Sequence, residues 1–224
     1  MTKIGVILSG CGVNDGAEIH ESVSTLLAID RAGAKAVCMA PDIAQADVVN
    51  HLTGQTADEK RNVLVESARI ARGDIRDIRD VKVEDIDAVV LPGGFGAAKN
   101  LSSFAKDGPG CTVNEDVARL LKDMQAAGKP IGALCIAPAV LAKALGSIGP
   151  ELTIGTDAGT AKALEAMGAK HKDCQATGVV VDEKAKIVTT PAYMLAGRIS
   201  EVFAGAEKLV KKIVELAEKS VAAA

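Results

Sequence analysis

The residues of this chain best placed to do chemistry are one cysteine and one glutamate, each beside a turn rich in small residues. Gly132-Ala133-Leu134-Cys135-Ile136-Ala137-Pro138 reads as a buried strand that delivers Cys135 into a sharp turn opening a helix. In such a nucleophile elbow the turn lifts the sulfur out of the sheet. The free N–H groups and positive end of the helix then favour a thiolate, which predicts a pKa below the free value of about 8.5. Taken alone, the same segment also suits a cysteine that fills apolar space. A second turn, Leu91-Pro92-Gly93-Gly94-Phe95-Gly96, carries paired glycines. They either let main-chain N–H groups approach a ligand, as in an oxyanion hole, or satisfy a tight turn with positive φ.

A third turn, Gly10-Cys11-Gly12-Val13-Asn14-Asp15-Gly16, precedes a helix that carries Glu21 near its start. Glu21 is a candidate proton carrier, and equally a carboxylate that complements the helix dipole. Cys11 and Asn14 are candidate pocket residues in a loop able to lid the crevice. As a dinucleotide fingerprint the turn fails: its last gap is one residue too long for G-x-G-x-x-G, and the nearest acid past the second strand, Asp42, follows Pro41 instead of closing that strand. His20, His51 and His171 show no recognisable pairing with Cys135.

These turns need elements to hold them. Lys3–Leu8, Lys35–Ala40, Asp87–Leu91 and Ile131–Leu134 read as buried strands, and residues 178–182 and 186–190 as a hairpin. Helical spacing covers Glu18–Arg31, Asp58–Arg72, Asn114–Ala127, Ala137–Leu145 and Asp157–Met167, with a loop over Phe95–Gly110. After Pro191, the series Leu195, Ile199, Val202, Ala206, Leu209, Ile213, Leu216 predicts a last amphipathic helix docked on the sheet. Alternating buried strands and helices imply an α/β fold with a mostly parallel sheet covered on both faces, and residues 1–224 as a single domain. In such sheets sites lie beyond the carboxyl ends of the strands, here the turns after Leu8, Leu91 and Leu134.

Composition narrows the chemistry. The 224 residues carry 26 Lys and Arg against 29 Asp and Glu, with no basic block, and the only aromatics are Phe95, Phe104, Phe203 and Tyr193. Neither a phosphate-neutralising surface nor a base-stacking platform is offered, so no nucleic-acid partner is expected. No apolar run reaches membrane-spanning length, and no membrane association is expected. Leu8-Ser9-Gly10-Cys11 has the form of a lipoprotein cleavage box, but only Lys3 and a few apolar residues precede it, where a secretory apolar region needs about 7 to 15. The five cysteines are widely spaced, with no C-x-x-C and no histidine in ligand spacing, which argues against a disulfide framework or a metal site. A reducing cytoplasm is the expected compartment.

The three turns together, with Ile4-Gly5-Val6-Ile7-Leu8-Ser9-Gly10-Cys11-Gly12, Glu18-Ile19-His20-Glu21, Pro92-Gly93-Gly94-Phe95-Gly96-Ala97-Ala98-Lys99-Asn100-Leu101, Cys135-Ile136-Ala137-Pro138, Leu152-Thr153-Ile154-Gly155-Thr156-Asp157 and Thr189-Thr190-Pro191-Ala192-Tyr193-Met194-Leu195-Ala196, resemble the DJ/PfpI branch of the class I glutamine amidotransferase-like superfamily. The resemblance implies a flavodoxin-like three-layer α/β/α sandwich. It also implies a cofactor-free glyoxalase that turns glyoxal into glycolate, with Cys135 as nucleophile, Glu21 hydrogen-bonded to it, and the N–H groups of Gly94 and Ile136 at the oxyanion positions beside Gly93. A homodimer is implied as well. The departures are equally informative. Where the protease branch has a histidine directly after the cysteine this chain has Ile136, and Gly155 stands where the deglycase branch carries one. Without a Cys-His-acid triad, peptidase or glutaminase work is disfavoured and any catalysis rests on a dyad. The same dyad also suits a redox sensor whose Cys135 oxidises to a sulfinate; a regulatory binding protein tied to isoprenoid metabolism is implied by the resemblance alone.

Overall fold

The computed structural model describes residues 1–222, with side chains through residue 219. In chain order its elements are β1 (Lys3–Ile7), α1 (Ile19–Arg31), β2 (Lys35–Ala40), β3 (Val49–Asn50), β4 (Gln55–Thr56), α2 (Val63–Ile70), β5 (Ile75–Asp77), β6 (Ala88–Leu91), α3 (Phe95–Lys99), α4 (Phe104–Asp107), α5 (Glu115–Ala126), β7 (Ile131–Leu134), α6 (Pro138–Leu145), β8 (Glu151–Leu152), α7 (Ala158–Ala166), β9 (Lys170–His171), β10 (Val180–Asp182), β11 (Ile187–Thr190) and α8 (Ile199–Ala222). Seven strands form one sheet in the order β10-β11-β7-β6-β1-β2-β5. All neighbours are parallel except β10, which pairs antiparallel with β11.

Helices cover both faces, as a parallel sheet of continuous apolar strands requires. One core joins the sheet to α5, α6 and α7 through residues such as Leu120, Leu121, Val140, Leu141 and Leu164. The other joins it to α1 and α8 through Ala28, Ile29, Val202, Ala206, Leu209 and Ile213. The result is a flavodoxin-like α/β/α sandwich. Its layers are fixed by aliphatic side chains that each contribute about 1.5–3 kcal/mol on burial.

Side-chain caps set several helix boundaries. Glu18 accepts from the Glu21 N–H at 2.7 Å and so begins α1, and Gly33 at φ 69° closes it. Asn62 accepts from the Val65 N–H at 3.0 Å, which starts α2 at Val63 and not at Asp58 as the spacing predicts. The residue before that cap is pulled into a different ladder, since the Arg61 carbonyl accepts from the Gln45 N–H. The stretch 95–110 is not loop: it holds α3 and α4. The edge strand β5 and the small β3–β4 and β8–β9 pairs are too short for periodicity to show. The last helix starts at Ile199, leaving Leu195 outside the stripe in a separate turn, while Val202 to Leu216 are buried as expected.

Candidate active site

The neighbours β7, β6 and β1 bring their carboxyl ends side by side at the middle of the sheet, so the three turns singled out in the sequence meet there. Two of them are laced together. The N–H groups of Phe95 and Gly96 donate to the carbonyls of Val13 and Gly16, and Glu18 N–H donates to the Gly93 carbonyl. Asn100 then donates its side-chain amide to the carbonyls of both Ser9 and Asp15, at 2.8 and 2.9 Å, and accepts from Ala46 N–H.

Cys135 sits in the elbow at φ 58°, a left-handed conformation that a non-glycine residue holds only against strain. Its N–H donates to the Thr190 carbonyl at 3.0 Å, and α6 begins three residues on with Pro138 in its first turn. The thiol is 8% exposed and Glu21 is fully buried. The Glu21 carboxyl and the Cys135 sulfur both border Gly93 and act on each other's ionisation, while the N–H groups of Gly94 and Ile136 favour the charged form of the same sulfur. Gly93 donates to Glu21 Oε2 at 2.8 Å. Its lack of a side chain is required: a Cβ there would stand 2.5 Å from Cys135 Cβ and 2.8 Å from that carboxylate oxygen. Gly94 adopts φ 93°, the conformation that turns its N–H toward the sulfur.

The electrostatics invert one expectation. Burial first, and the Glu21 carboxylate second, push the Cys135 thiol well above the ordinary range, and the two N–H donors offset only part of that. The helix terminus therefore does not produce a low-pKa thiolate, because desolvation of a buried sulfur outweighs a dipole felt through one short turn. Glu21 is raised to about 7, by burial and then by Glu18, against the N–H groups that favour its charged form. Above that pH the pair keeps one proton, which the raised thiol holds beside the ionised carboxyl.

A fourth turn completes the site and was not singled out by spacing. Residues 190–195 follow β11, the other neighbour of β7, with Ala192 at φ 45°. From this turn Tyr193 N–H donates to Glu21 Oε1 at 3.2 Å, and the Tyr193 hydroxyl is hydrogen-bonded to His20 Nδ1 at 2.8 Å. The signal available in the sequence was the adjacency of His20 and Glu21 and the presence of a single tyrosine. Cys11 and Asn14 are engaged elsewhere. Cys11 is half-buried among Glu66, Arg69, Asp15 and Arg61, and Asn14 N–H donates to His51 Nε2 while its carbonyl accepts from Lys99. At Gly155 no histidine would fit, for a Cβ there would meet Leu195 at 2.8 Å. Among the described residues no group of three or more His, Cys, Asp or Glu is arranged to hold a metal, and no helix is long and apolar enough to cross a membrane.

Fold and elbow together define a class, and the chain belongs to the DJ-1/PfpI family, whose profile matches residues 11–196. Its similarity extends to the human mitochondrial protein called glutamine amidotransferase-like class 1 domain-containing protein 3, 47% identical over 97% of this chain and 84% of that protein. The rat ES1 protein homolog, also mitochondrial by name, is 46% identical over 97% of this chain and 85% of its own length. A crystal structure from Ehrlichia chaffeensis, described as an isoprenoid biosynthesis protein with an amidotransferase-like domain, superposes with a TM-score of 0.91 at 37% identity, covering 96% of this chain and 99% of that one.

Proposed function

We propose that this protein is a cofactor- and glutathione-independent glyoxalase, a glyoxalase III-type lyase, that converts glyoxal to glycolate and methylglyoxal to lactate. The observation that carries the reading is a buried carboxyl beside a buried elbow cysteine, both bordering Gly93, with the Gly94 and Ile136 N–H groups favouring the charged sulfur. Cys135 is the nucleophile. As its sulfur bonds to one aldehyde carbon, the thiol proton passes to Glu21 and on to the new alkoxide, which gives a hemithioacetal. Gly94 and Ile136 N–H groups hold the developing oxyanion, and Gly93 orients the carboxylate. Glu21 then takes the proton from that carbon and returns it to the neighbouring carbon, while the hydroxyl proton moves to the second oxygen. The attacked carbon is oxidised and its neighbour reduced, so no external oxidant is needed. Water cleaves the resulting thioester, releasing the hydroxy acid and restoring the thiol.

Several further attributes belong to the same proposal. The substrate is a small 2-oxoaldehyde, and neither a nucleic acid nor a membrane is a partner. The active form is a homodimer in a reducing compartment, the cytoplasm. The description of the Ehrlichia relative supports the link to isoprenoid biosynthesis that belongs to this reading. The direct test is glycolate formation from glyoxal by metal-free protein without glutathione, with Cys135→Ala alongside. Cys135-dependent turnover is expected, and equal rates in the two proteins would overturn the reading.

The N–H groups aimed at the sulfur also favour a second reading, a redox sensor in which peroxide oxidises Cys135 to a sulfinate held by those donors and by Glu21. Peroxide treatment followed by peptide-resolved mass measurement distinguishes the two. Selective oxidation of Cys135 over Cys11 and Cys38, without turnover of glyoxal, would favour the sensor.

A further inference from the structure

Glu21 is held by two main-chain donors of very different character. Gly93 N–H, on Oε2, comes from a turn packed so closely against the Cys135 side chain and the carboxylate that no side chain fits there. Tyr193 N–H, on Oε1, comes from a half-buried turn that contains Ala192 in the left-handed region. Such a turn needs an outside constraint to stay in place. The Tyr193 side chain supplies one by reaching back to His20, which is the residue preceding Glu21 on α1. A closed ring results: Glu21 carboxyl to Tyr193 main chain, Tyr193 hydroxyl to His20 imidazole, and His20 through one peptide bond back to Glu21. The helix that carries the carboxyl thus also anchors the donor that orients it.

We infer that His20 and Tyr193 are a positioning pair that fixes the Glu21 carboxyl against the Cys135 sulfur, the task that a third residue performs in a triad. This rests on the reading of Cys135 and Glu21 as the working pair. The titratable groups facing the carboxyl are Glu18 at the helix cap, Cys135 in the elbow and Tyr193 in the last turn, with His20 behind the Tyr193 hydroxyl. Glu18 and Cys135 are untouched by opening the ring. Loss of the Tyr193 donor removes a hydrogen bond to the charged form of Glu21, so its ionisation moves to higher pH.

The test uses Tyr193→Phe, which keeps the ring and the main-chain donor, together with His20→Leu and His20→Asn. Asparagine places an amide nitrogen near the position of imidazole Nδ1 and is the rescuing variant. Alkylation of Cys135 by iodoacetamide is followed by peptide-resolved mass measurement from pH 5 to 10, beside glyoxal turnover. Wild type is expected to show an inflection near pH 7, where Glu21 becomes able to accept the thiol proton. In Tyr193→Phe and His20→Leu it should move up by about half a unit, with kcat down about tenfold and KM nearly unchanged. His20→Asn should return both toward wild type. Superimposable alkylation profiles in folded Tyr193→Phe and His20→Leu would overturn the assignment. Absence of an inflection in wild type would overturn it together with the working pair. Shifted and rescued profiles in a protein that never turns over glyoxal would support the positioning role and reject only the glyoxalase reading.

Discussion

Cys135 and Cys38 are equally buried, each 8% exposed, and each sits in or at the end of a parallel strand of the same sheet. Their chemistry differs completely. Cys38 lies in extended backbone within β2, and its thiol is pushed up to about 11 by burial and then by Asp74. Cys135 stands one residue beyond β7 in a left-handed turn, and its sulfur feels the Glu21 carboxyl and the N–H groups of Gly94 and Ile136. Burial raises both thiols. What sets the proposed reactive cysteine apart from the packing cysteine is a neighbouring carboxyl and two N–H groups that favour the charged sulfur, and not a lower resting pKa.

The strongest way to sharpen that contrast is to delete each sulfur. Cys135→Ala should reduce glyoxal turnover to the uncatalysed background, while Cys38→Ala leaves kcat within twofold of wild type, about the scatter expected of a site remote from the chemistry. A second test concerns stability. Because folding raises Glu21 from an ordinary 4.5 to about 7, its contribution is fully present below pH 4.5 and is lost as pH rises through 7. Denaturant titrations should show wild type losing up to about 3 kcal/mol over that window, with Glu21→Gln flattening the slope. An unchanged slope in the variant would show that Glu21 is not the buried carboxyl responsible. Third, Glu21→Gln should lower turnover about 10²-fold with intact folding, since the amide accepts no proton. The smallest effect expected is on the packing side: Cys38→Ala should cost about 1 kcal/mol of stability, measured by the shift in denaturation midpoint.

The strands around the site were readable because each is a short apolar run bounded by punctuation. Lys35–Ala40 stops at Pro41, and Ile131–Leu134 runs between Pro130 and the elbow, both as observed. The elbow cysteine, the glycine pair and Glu21 were readable for a similar reason, since each stands at a strand end or helix start where local sequence dictates geometry. The fourth turn was not. Pro191 looks like the first residue of a helix, yet only a single 3-10 turn follows before α8 begins at Ile199. The positive φ of Ala192 is imposed by neighbours far away in sequence, with Thr190 paired to the elbow and Tyr193 to α1. The direction of the Cys135 pKa was unreadable too. It depends on how deeply the sulfur is covered and on a carboxylate 114 positions away in the chain, and periodicity measures neither.

The single proton kept by Glu21 and Cys135 has a consequence for traffic through the crevice. Above about pH 7 the pair carries one negative charge, on the buried Glu21 carboxylate beside the protonated thiol. Glyoxal is neutral and meets no electrostatic barrier on the way in. Glycolate is an anion formed beside an existing anion, in surroundings of low polarity where like charges repel strongly. Under the proposed glyoxalase reaction, the resting site would thus admit the uncharged reactant and expel the charged product, a one-way valve built from the same proton that the chemistry would use.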